Sequence, residues 1–163
     1  GKCTKSFVSG DSAGGSLSLG VTLSLKDDGS QLPDAVMSLC PWAELDPVSE
    51  SYETNASNDP YISRDAISAF RDLYIENESD LKDPYASPVY GDYDGFPPLL
   101  IQVGGREVLL DDSLKVAEKA KKSGCEVKLE VWDDMVHVFH GYAPFLPEAN
   151  EALEAIGEFI ADK

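Results

Sequence analysis

Nine residues near the start of the chain constrain its fold most. Residues 7–15, FVSGDSAGG, begin with β-forming side chains and pass directly into a Gly-x-Ser-x-Gly sequence. We expect a strand over 6–9 and a helix over 16–26, joined by a turn so sharp that Ser12 is strained. Gly10 and Gly14 carry no Cβ that could collide with the neighbouring strand and helix. The sequence therefore predicts a serine hydroxyl held clear of a sheet.

The position of Ser12 also predicts a site for negative charge. The first N–H groups of a helix have no intrahelical acceptor, and the helix dipole favours anions there. The backbone N–H of Ala13 is then placed to stabilise an oxyanion formed by attack of Ser12 on a carbonyl. The pattern alone also fits a Gly/Ser-rich turn that merely packs closely. Whether the sequence also offers a base and an acid for Ser12 distinguishes these interpretations.

The rest of the chain alternates strands and helices. Apolar runs predict buried strands over 35–40 and 99–103, and an alternating run predicts a strand over 126–132. Helices are expected over 63–77, with Ser63 as N-cap, over 112–123 and over 147–161. We place Leu114 in the apolar face of the second of these helices and Leu153 in that of the last. This alternation predicts an α/β fold with a mostly parallel sheet, in which sites gather beyond the C-terminal ends of the strands.

A serine nucleophile needs a base, and the chain holds two histidines, His137 and His140. A base must lie on a loop that faces the serine, beyond the last strand. His137 follows the strand that ends near Trp132 by five residues, whereas His140 falls where the next element begins. We therefore predict that His137 is the base.

The acid that orients the histidine should follow the preceding strand. Glu107 lies on the loop that leaves the strand over 99–103. Asp111 and Asp112 are alternatives, but they fall where a helix N-cap belongs. Asp133 and Asp134 are close to His137 in sequence, though adjacency on one loop rarely gives the needed geometry. We favour Glu107, which gives the order Ser–acid–His that is typical of α/β-hydrolases.

Several segments, in this order, resemble the hormone-sensitive-lipase-like esterases, the bacterial family IV carboxylesterases. The resemblance covers nearly the whole chain and is strongest in GDSAGG (10–15), CPW (40–42), DPYASP (83–88), FPPLLIQVG (96–104), EVLLDD (107–112) and MVHVF (135–139). The triad of the family falls on Ser12, Glu107 and His137, although Asp is commoner than Glu at the acid position. The resemblance implies hydrolysis of esters with short to medium acyl chains through an acyl-enzyme on Ser12, with no cofactor and no metal. By position alone, Trp42, Leu45, Val108 and Phe139 are candidates for the substrate pocket.

The resemblance also implies parts that this sequence lacks. The family carries a His-Gly-Gly-Gly loop that completes the oxyanion hole and an N-terminal cap over the acyl pocket, and no Gly-Gly-Gly occurs here. We therefore expect 1–163 to be one truncated α/β-hydrolase domain, the C-terminal half of the catalytic fold. Its bare sheet edge should pair with its own N-terminal half or with a second copy. Esterase activity of the chain alone should be impaired.

Composition narrows the possible partners and location. The net charge is −17, from 30 acidic and 13 basic residues, which argues against nucleic acid or anionic membranes as partners. No apolar run is long enough for a membrane span. Three cysteines, Cys3, Cys40 and Cys125, form no CxxC pattern, which indicates a reducing compartment and predicts a cytoplasmic protein.

Two other functions share the Gly-x-Ser-x-Gly turn. Ligand-binding relatives such as gibberellin receptors keep the fold but lack the triad histidine, so the presence of His137 argues against that class. A serine peptidase of related fold fits the flanking segments less well. A small ester is therefore the predicted substrate.

Overall fold

In the described part of the chain, four parallel strands form one sheet in the order in which they occur in the sequence. The structure, a computed structural model, describes residues 4–163, so Cys3 lies outside the described residues. The strands are β1 (Phe7–Asp11), β2 (Ala35–Leu39), β3 (Leu99–Gly104) and β4 (Val127–Trp132), and each pairs in parallel with the next. Among residues 4–163, β1 has a strand neighbour on one side only. The α/β class predicted from the sequence is confirmed.

Within residues 4–163, five α-helices connect or follow the strands: α1 (Ala13–Asp27), α2 (Ser51–Thr54), α3 (Arg64–Tyr74), α4 (Leu110–Lys122) and α5 (Pro147–Ala161). Short 3₁₀ turns cover Glu78–Lys82, Pro88–Tyr90 and Phe139–Tyr142. The predicted N-cap of α3 is present, since the Ser63 hydroxyl accepts the Ala66 N–H at 3.2 Å. In the part of the chain that is described, no helix has both the length and the apolar character needed to cross a bilayer.

The helices pack on both faces of the sheet because β2 and β3 are apolar on both sides. On one face, Leu19 of α1 and Val116 of α4 belong to a cluster with Ile101 of β3. On the other face, Phe159 of α5 packs with Leu100, the neighbour of Ile101 in β3. Successive strand residues point to opposite faces, so β3 serves two cores at once. Its complete burial follows from this three-layer arrangement.

Two residues assigned to apolar helix faces lie on the surface instead. Leu114 of α4 is 37% exposed, and Leu153 of α5 is 43% exposed. Leu114 lies two residues, about 200° of helix rotation, from the buried Val116. Leu153 follows the buried Ala152 by one residue, which turns it away from the sheet. The predicted helices are present, but both assignments to the buried faces were wrong.

Candidate active site

The turn between β1 and α1 holds Ser12 in an unusual backbone conformation. Its φ of 54° and ψ of −121° fall outside the regions that residues with a Cβ ordinarily adopt. The Ser12 N–H donates to the Leu39 carbonyl at 2.9 Å, and the Ser12 carbonyl accepts the Trp42 N–H at 3.1 Å. These bonds tie both backbone groups of the serine to the end of β2. The hydroxyl is thereby presented at the C-terminal edge of the sheet.

The two glycines of the turn are not equivalent. A Cβ on Gly10 would lie 2.2 Å from the Gly14 carbonyl oxygen, so the sharp turn requires glycine there. A Cβ on Gly14 would meet no described atom within 4 Å. The steric reason predicted for Gly14 is therefore wrong for the described chain, because Gly14 already belongs to the first turn of α1.

The structure brings Ser12, His137 and Glu107 into one hydrogen-bonded chain. His137 Nε2 lies 2.9 Å from Ser12 Oγ, and His137 Nδ1 lies 2.7 Å from Glu107 Oε2. A carboxylate accepts, so Nδ1 carries the proton and Nε2 of the neutral ring accepts the serine hydroxyl. Glu107 is fully buried, and its Oε1 accepts the Gly104 N–H at 2.7 Å. Both oxygens of the carboxylate are thus fixed.

The loop that carries Glu107 and the loop that carries His137 pack directly against each other. The Arg106 N–H donates to the Met135 carbonyl at 3.1 Å. A Cβ on Gly104 would come within 2.4 Å of the Met135 oxygen, and one on Gly105 within 2.4 Å of the Asp133 oxygen. The glycine pair allows this close approach of the loops that carry Glu107 and His137.

The alternative acids serve other parts of the fold. Asp111 accepts the Ser51 N–H at 2.8 Å, and Asp112 accepts the Ala43 and Glu44 N–H groups at 2.9 and 3.0 Å. Helix α4 begins at Leu110, so both aspartates lie in its first turn rather than at the predicted cap. Burial raises the pKa of Asp112 to about 8. The exposed pair Asp133 and Asp134 precedes His137 on its own loop.

His140 is buried and turned away from Ser12. Its Nε2 lies 2.9 Å from Gln102 Oε1, and the Gln102 amide group donates to Glu130 at 2.7 Å and to the Ala152 carbonyl at 2.9 Å. Nε2 is therefore the protonated nitrogen, while Nδ1 is buried with no partner among the described residues. Burial lowers the pKa of His140 to about 4. This histidine holds the Phe139–Tyr142 turn against β3.

Backbone strain is concentrated around these side chains. Within residues 4–163, three non-glycine residues have a positive φ: Ser12 (54°), Cys40 (47°) and Val138 (50°). One is the serine, one follows β2 and one follows His137. Residues in sparsely populated conformations cluster at functional sites. Sequence reasoning missed Cys40 and Val138 here, although the place of Cys40 at the end of β2 puts it on the same sheet edge as the serine.

Cys40, Glu107 and His137 also form the single group of potential metal ligands among residues 4–163. Their ligand atoms lie within 4.8 Å of one another. The Glu107 and His137 atoms are engaged in the 2.7 Å hydrogen bond described above. The set is thus arranged as a hydrogen-bonded network.

A cavity of about 350 Å³ opens beside Ser12 and has largely apolar walls. Trp42 and Leu45 lie on these walls. The remaining apolar lining comes mainly from α1, α3 and neighbouring loops: Ala13, Leu17, Ile62, Ile67, Phe70, Tyr74, Tyr85 and Ala86. A second, more open cavity of about 360 Å³ is lined by His137, Val138 and Tyr142 among others.

Val108 and Phe139 do not line the cavity beside Ser12. Val108 is fully buried in a cluster with Tyr52 and Ile67. Phe139 is fully buried against α5, where it contacts the Ala149 region. Position in the sequence alone makes both residues candidates for the pocket. Their side chains instead point into the core that supports those two loops.

Comparison with known proteins identifies the relatives of this chain. The profile of the alpha/beta hydrolase fold family matches residues 1–141. An acetyl-hydrolase of Streptomyces hygroscopicus is 39% identical over 153 residues, which are 94% of this chain and 51% of that protein. The chain spans about half the length of the curated relatives it matches.

Two solved structures show the same agreement in three dimensions. EstE5, in a crystal soaked with p-nitrophenyl butyrate, is 44% identical, with a TM-score of 0.91 over 96% of this chain and 52% of that one. An esterase of the bacterial hormone-sensitive lipase family is 43% identical, with a TM-score of 0.91 over 94% of this chain and 51% of that one. The resemblance drawn from the sequence is confirmed: the chain belongs to the α/β-hydrolase fold family, and its relatives there include the hormone-sensitive-lipase-like esterases.

Proposed function

We propose that this chain carries the nucleophile, base and acid of a serine carboxylesterase. The observation that supports the proposal is the chain of hydrogen bonds from Ser12 Oγ through both nitrogens of His137 to Glu107. A serine becomes nucleophilic only when a base can take its proton, and the base works best when a third group fixes its tautomer. The names of the relatives, esterase and acetyl-hydrolase, point to the same chemistry.

The reaction follows from the proton positions. Ser12 Oγ attacks the ester carbonyl while its proton passes to His137 Nε2, and Glu107 stabilises the imidazolium. The C–O bond of the ester then breaks, and the departing alcohol takes the proton from Nε2. Water attacks the acyl-enzyme by the same route, with His137 again accepting and returning the proton. The carboxylic acid leaves, and Ser12 regains its hydrogen.

The oxyanion of the tetrahedral intermediate is assigned to the backbone N–H of Ala13. This residue is the first of α1, so its N–H has no acceptor within the helix. We propose that a second donor comes from a complementary segment, either an N-terminal half or a second copy, that pairs with the open side of β1. Loss of one oxyanion donor lowers kcat by about 10²–10³. Turnover by these 163 residues alone is therefore expected to be slow.

The apolar cavity beside Ser12 supports esters with short to medium acyl chains as substrates. Its walls offer hydrophobic contact and few polar partners. We propose that the acyl chain occupies this cavity, because it adjoins both Ser12 and Ala13. The alcohol then departs on the His137 side, where Nε2 protonates it.

A fluorophosphonate probe tests the proposal without requiring full turnover. The purified chain should be labelled covalently on Ser12, and the Ser12→Ala variant should lose all labelling. Ser30→Ala, which alters an exposed serine, is the matched control and should label like the unaltered chain. Absence of labelling in a folded chain, shown by circular dichroism, would contradict the proposal and favour a ligand-binding role.

Substrate class is tested by comparing an ester with the corresponding amide. p-Nitrophenyl butyrate should be hydrolysed measurably faster than butyryl-p-nitroanilide at equal concentration. Comparable rates for the two would instead indicate a peptidase. Both rates should fall to background in the Ser12→Ala variant.

A further inference from the structure

Cys40 lies beside Glu107 and His137, although it takes no part in the proton transfers described above. It follows β2 directly and is fully buried. Its Sγ, a carboxylate oxygen of Glu107 and a ring nitrogen of His137 lie within 4.8 Å of one another. Its Sγ also accepts the Val138 N–H at 3.4 Å. One thiol thus faces both loops that deliver the histidine and the acid.

The thiol retains its proton in this setting. Burial and, next, the facing Glu107 carboxylate raise the pKa of Cys40 well above its usual range. A protonated thiol has one hydrogen to donate, and a carboxylate oxygen of Glu107 lies within 4.8 Å of the sulfur. The carboxylate already accepts from Gly104 and His137 and has lone pairs left for a third donor.

The backbone conformations of Cys40 and Val138 also draw attention to the hydrogen bond between these two residues. Cys40 and Val138 both have a positive φ, 47° and 50°, which is unfavourable for residues with a Cβ and most unfavourable for a β-branched one. They are 98 residues apart in sequence, yet the Val138 N–H to Cys40 Sγ bond connects them. Conformations of this kind persist only where surrounding contacts enforce them. Val138 directly follows His137, so this bond fixes the backbone that carries the imidazole.

From these contacts we infer that Cys40 is a positioning residue for Glu107 and His137. Its S–H donates to the Glu107 carboxylate while its sulfur accepts the Val138 N–H, so a single side chain aligns the acid and the loop of the base. The inference rests on the proposed esterase function for its effect on reactivity. The hydrogen bonding itself can be measured independently of that function.

The reactivity test uses three variants of the full chain. Cys40→Ala removes donor and acceptor together and should lower the rate of fluorophosphonate labelling of Ser12 by about 10- to 100-fold, because the acid and base lose their alignment. Cys40→Ser restores both hydrogen-bonding roles and should recover most of the rate. Cys125→Ser changes the other described cysteine and should have no effect.

A spectroscopic test does not depend on reactivity. The chain has two histidines, so the downfield proton resonance of His137 Nδ1 can be assigned with a His140→Gln variant. In Cys40→Ala the acid and the base lose their alignment, the bond from Nδ1–H to Glu107 weakens, and the resonance should move upfield. Cys40→Ser should return it toward its original position. A resonance that is unchanged in Cys40→Ala would overturn the inference, because a thiol that merely fills space has no effect on this proton.

The remaining outcomes are also decisive. An unaltered chain that is not labelled on Ser12 contradicts the esterase proposal, while the resonance still tests the role of Cys40. Where Cys40→Ala fails to fold, the S–H stretching band of the unaltered chain provides the measurement. Donation to the carboxylate predicts a band at lowered frequency that shifts in Glu107→Gln, and a band typical of a free thiol overturns the inference.

Discussion

The glycine at position 10 shows how one missing carbon shapes the proposed site. Ser12 keeps its positive φ because β1 turns into α1 without an intervening loop, and only Gly10 leaves room for the Gly14 carbonyl. A side chain here would push the start of α1 away from the strand. The position of the Ser12 hydroxyl depends on that separation.

We expect Gly10→Ala to destabilise the protein by about 3 kcal/mol or more, because its Cβ meets rigid backbone 2.2 Å away. Gly14→Ala is the matched variant. It places a Cβ in open space within a helix and should stabilise the chain by up to about 1 kcal/mol. Urea denaturation of both variants gives the two values. Equal effects would contradict the assignment of the close contact to Gly10.

A second single residue anchors the wall of the apolar cavity. Fully buried Asp112 accepts the N–H groups of Ala43 and Glu44, which follow Trp42 along the chain. Asp112→Ala leaves two buried donors unpaired and should lower the free energy of unfolding by about 2–4 kcal/mol. Asp112→Asn keeps an accepting oxygen and should cost less than half as much. Chemical denaturation of both variants shows whether Asp112 stabilises the fold through its accepting oxygen or through its negative charge.

At the scale of elements, the histidine loop depends on the short turn Phe139–Tyr142 and its contacts with β3 and α5. His140 stacks on Phe139, with ring centroids 4.1 Å apart, and bonds Gln102 in β3. Burial lowers the pKa of His140 to about 4, an effect opposed by Asp11 and reinforced by His137. Protonation would require either a partner for buried Nδ1 or release of the turn.

The sign of the resulting pH dependence follows from the proton counts. The unfolded chain protonates this histidine near pH 6.5, whereas the folded chain does so near 4. Between these values the unfolded state binds more protons, so stability falls as the pH drops from 6.5 to 4. Relative to His140→Gln, the unaltered chain should lose about 2 kcal/mol over this range. Denaturation midpoints of both proteins at pH 7 and 4.5 measure this difference in stability. Asp112 changes stability with pH in the opposite direction, and its contribution cancels because both proteins contain it.

Elements differ in how far the sequence predicts them. The turn at Ser12, helix α5 and the strands are predicted well because glycine spacing, an N-terminal proline and apolar runs are local signals. Val108 and Phe139 were misplaced because burial depends on α2, α3 and α5 packing over their loops, which no local pattern encodes. Cys40 and Val138 meet across 98 residues through two left-handed conformations that neither residue type favours. The places of Glu107 and His137 after β3 and β4 could be read from the sequence, whereas the contact between Cys40 and Val138 could not.

At the scale of the whole molecule, charge is the dominant feature. The 30 acidic residues outnumber the 13 basic ones, so the folded chain repels itself at low ionic strength. Individual surface ion pairs such as Lys122 with Glu118 contribute little against this excess.

Salt should therefore stabilise the protein. Raising NaCl from 0.05 to 0.5 M screens the repulsion and should increase the free energy of unfolding by about 1 kcal/mol. Urea denaturation at the two concentrations measures the change, with sucrose of equal osmolality as the control for solute exclusion. A decrease with salt would show that attractive ion pairs outweigh the net charge.

The sequential strand order has a consequence for biosynthesis. Ser12 lies in the connection after β1, Glu107 in the connection after β3, and His137 in the connection after β4. During translation, Ser12 therefore emerges from the ribosome long before His137. Under the proposed function, a nascent chain shows an inert hydroxyl until more than four-fifths of these residues have been made, so reactivity arises only when folding is nearly finished.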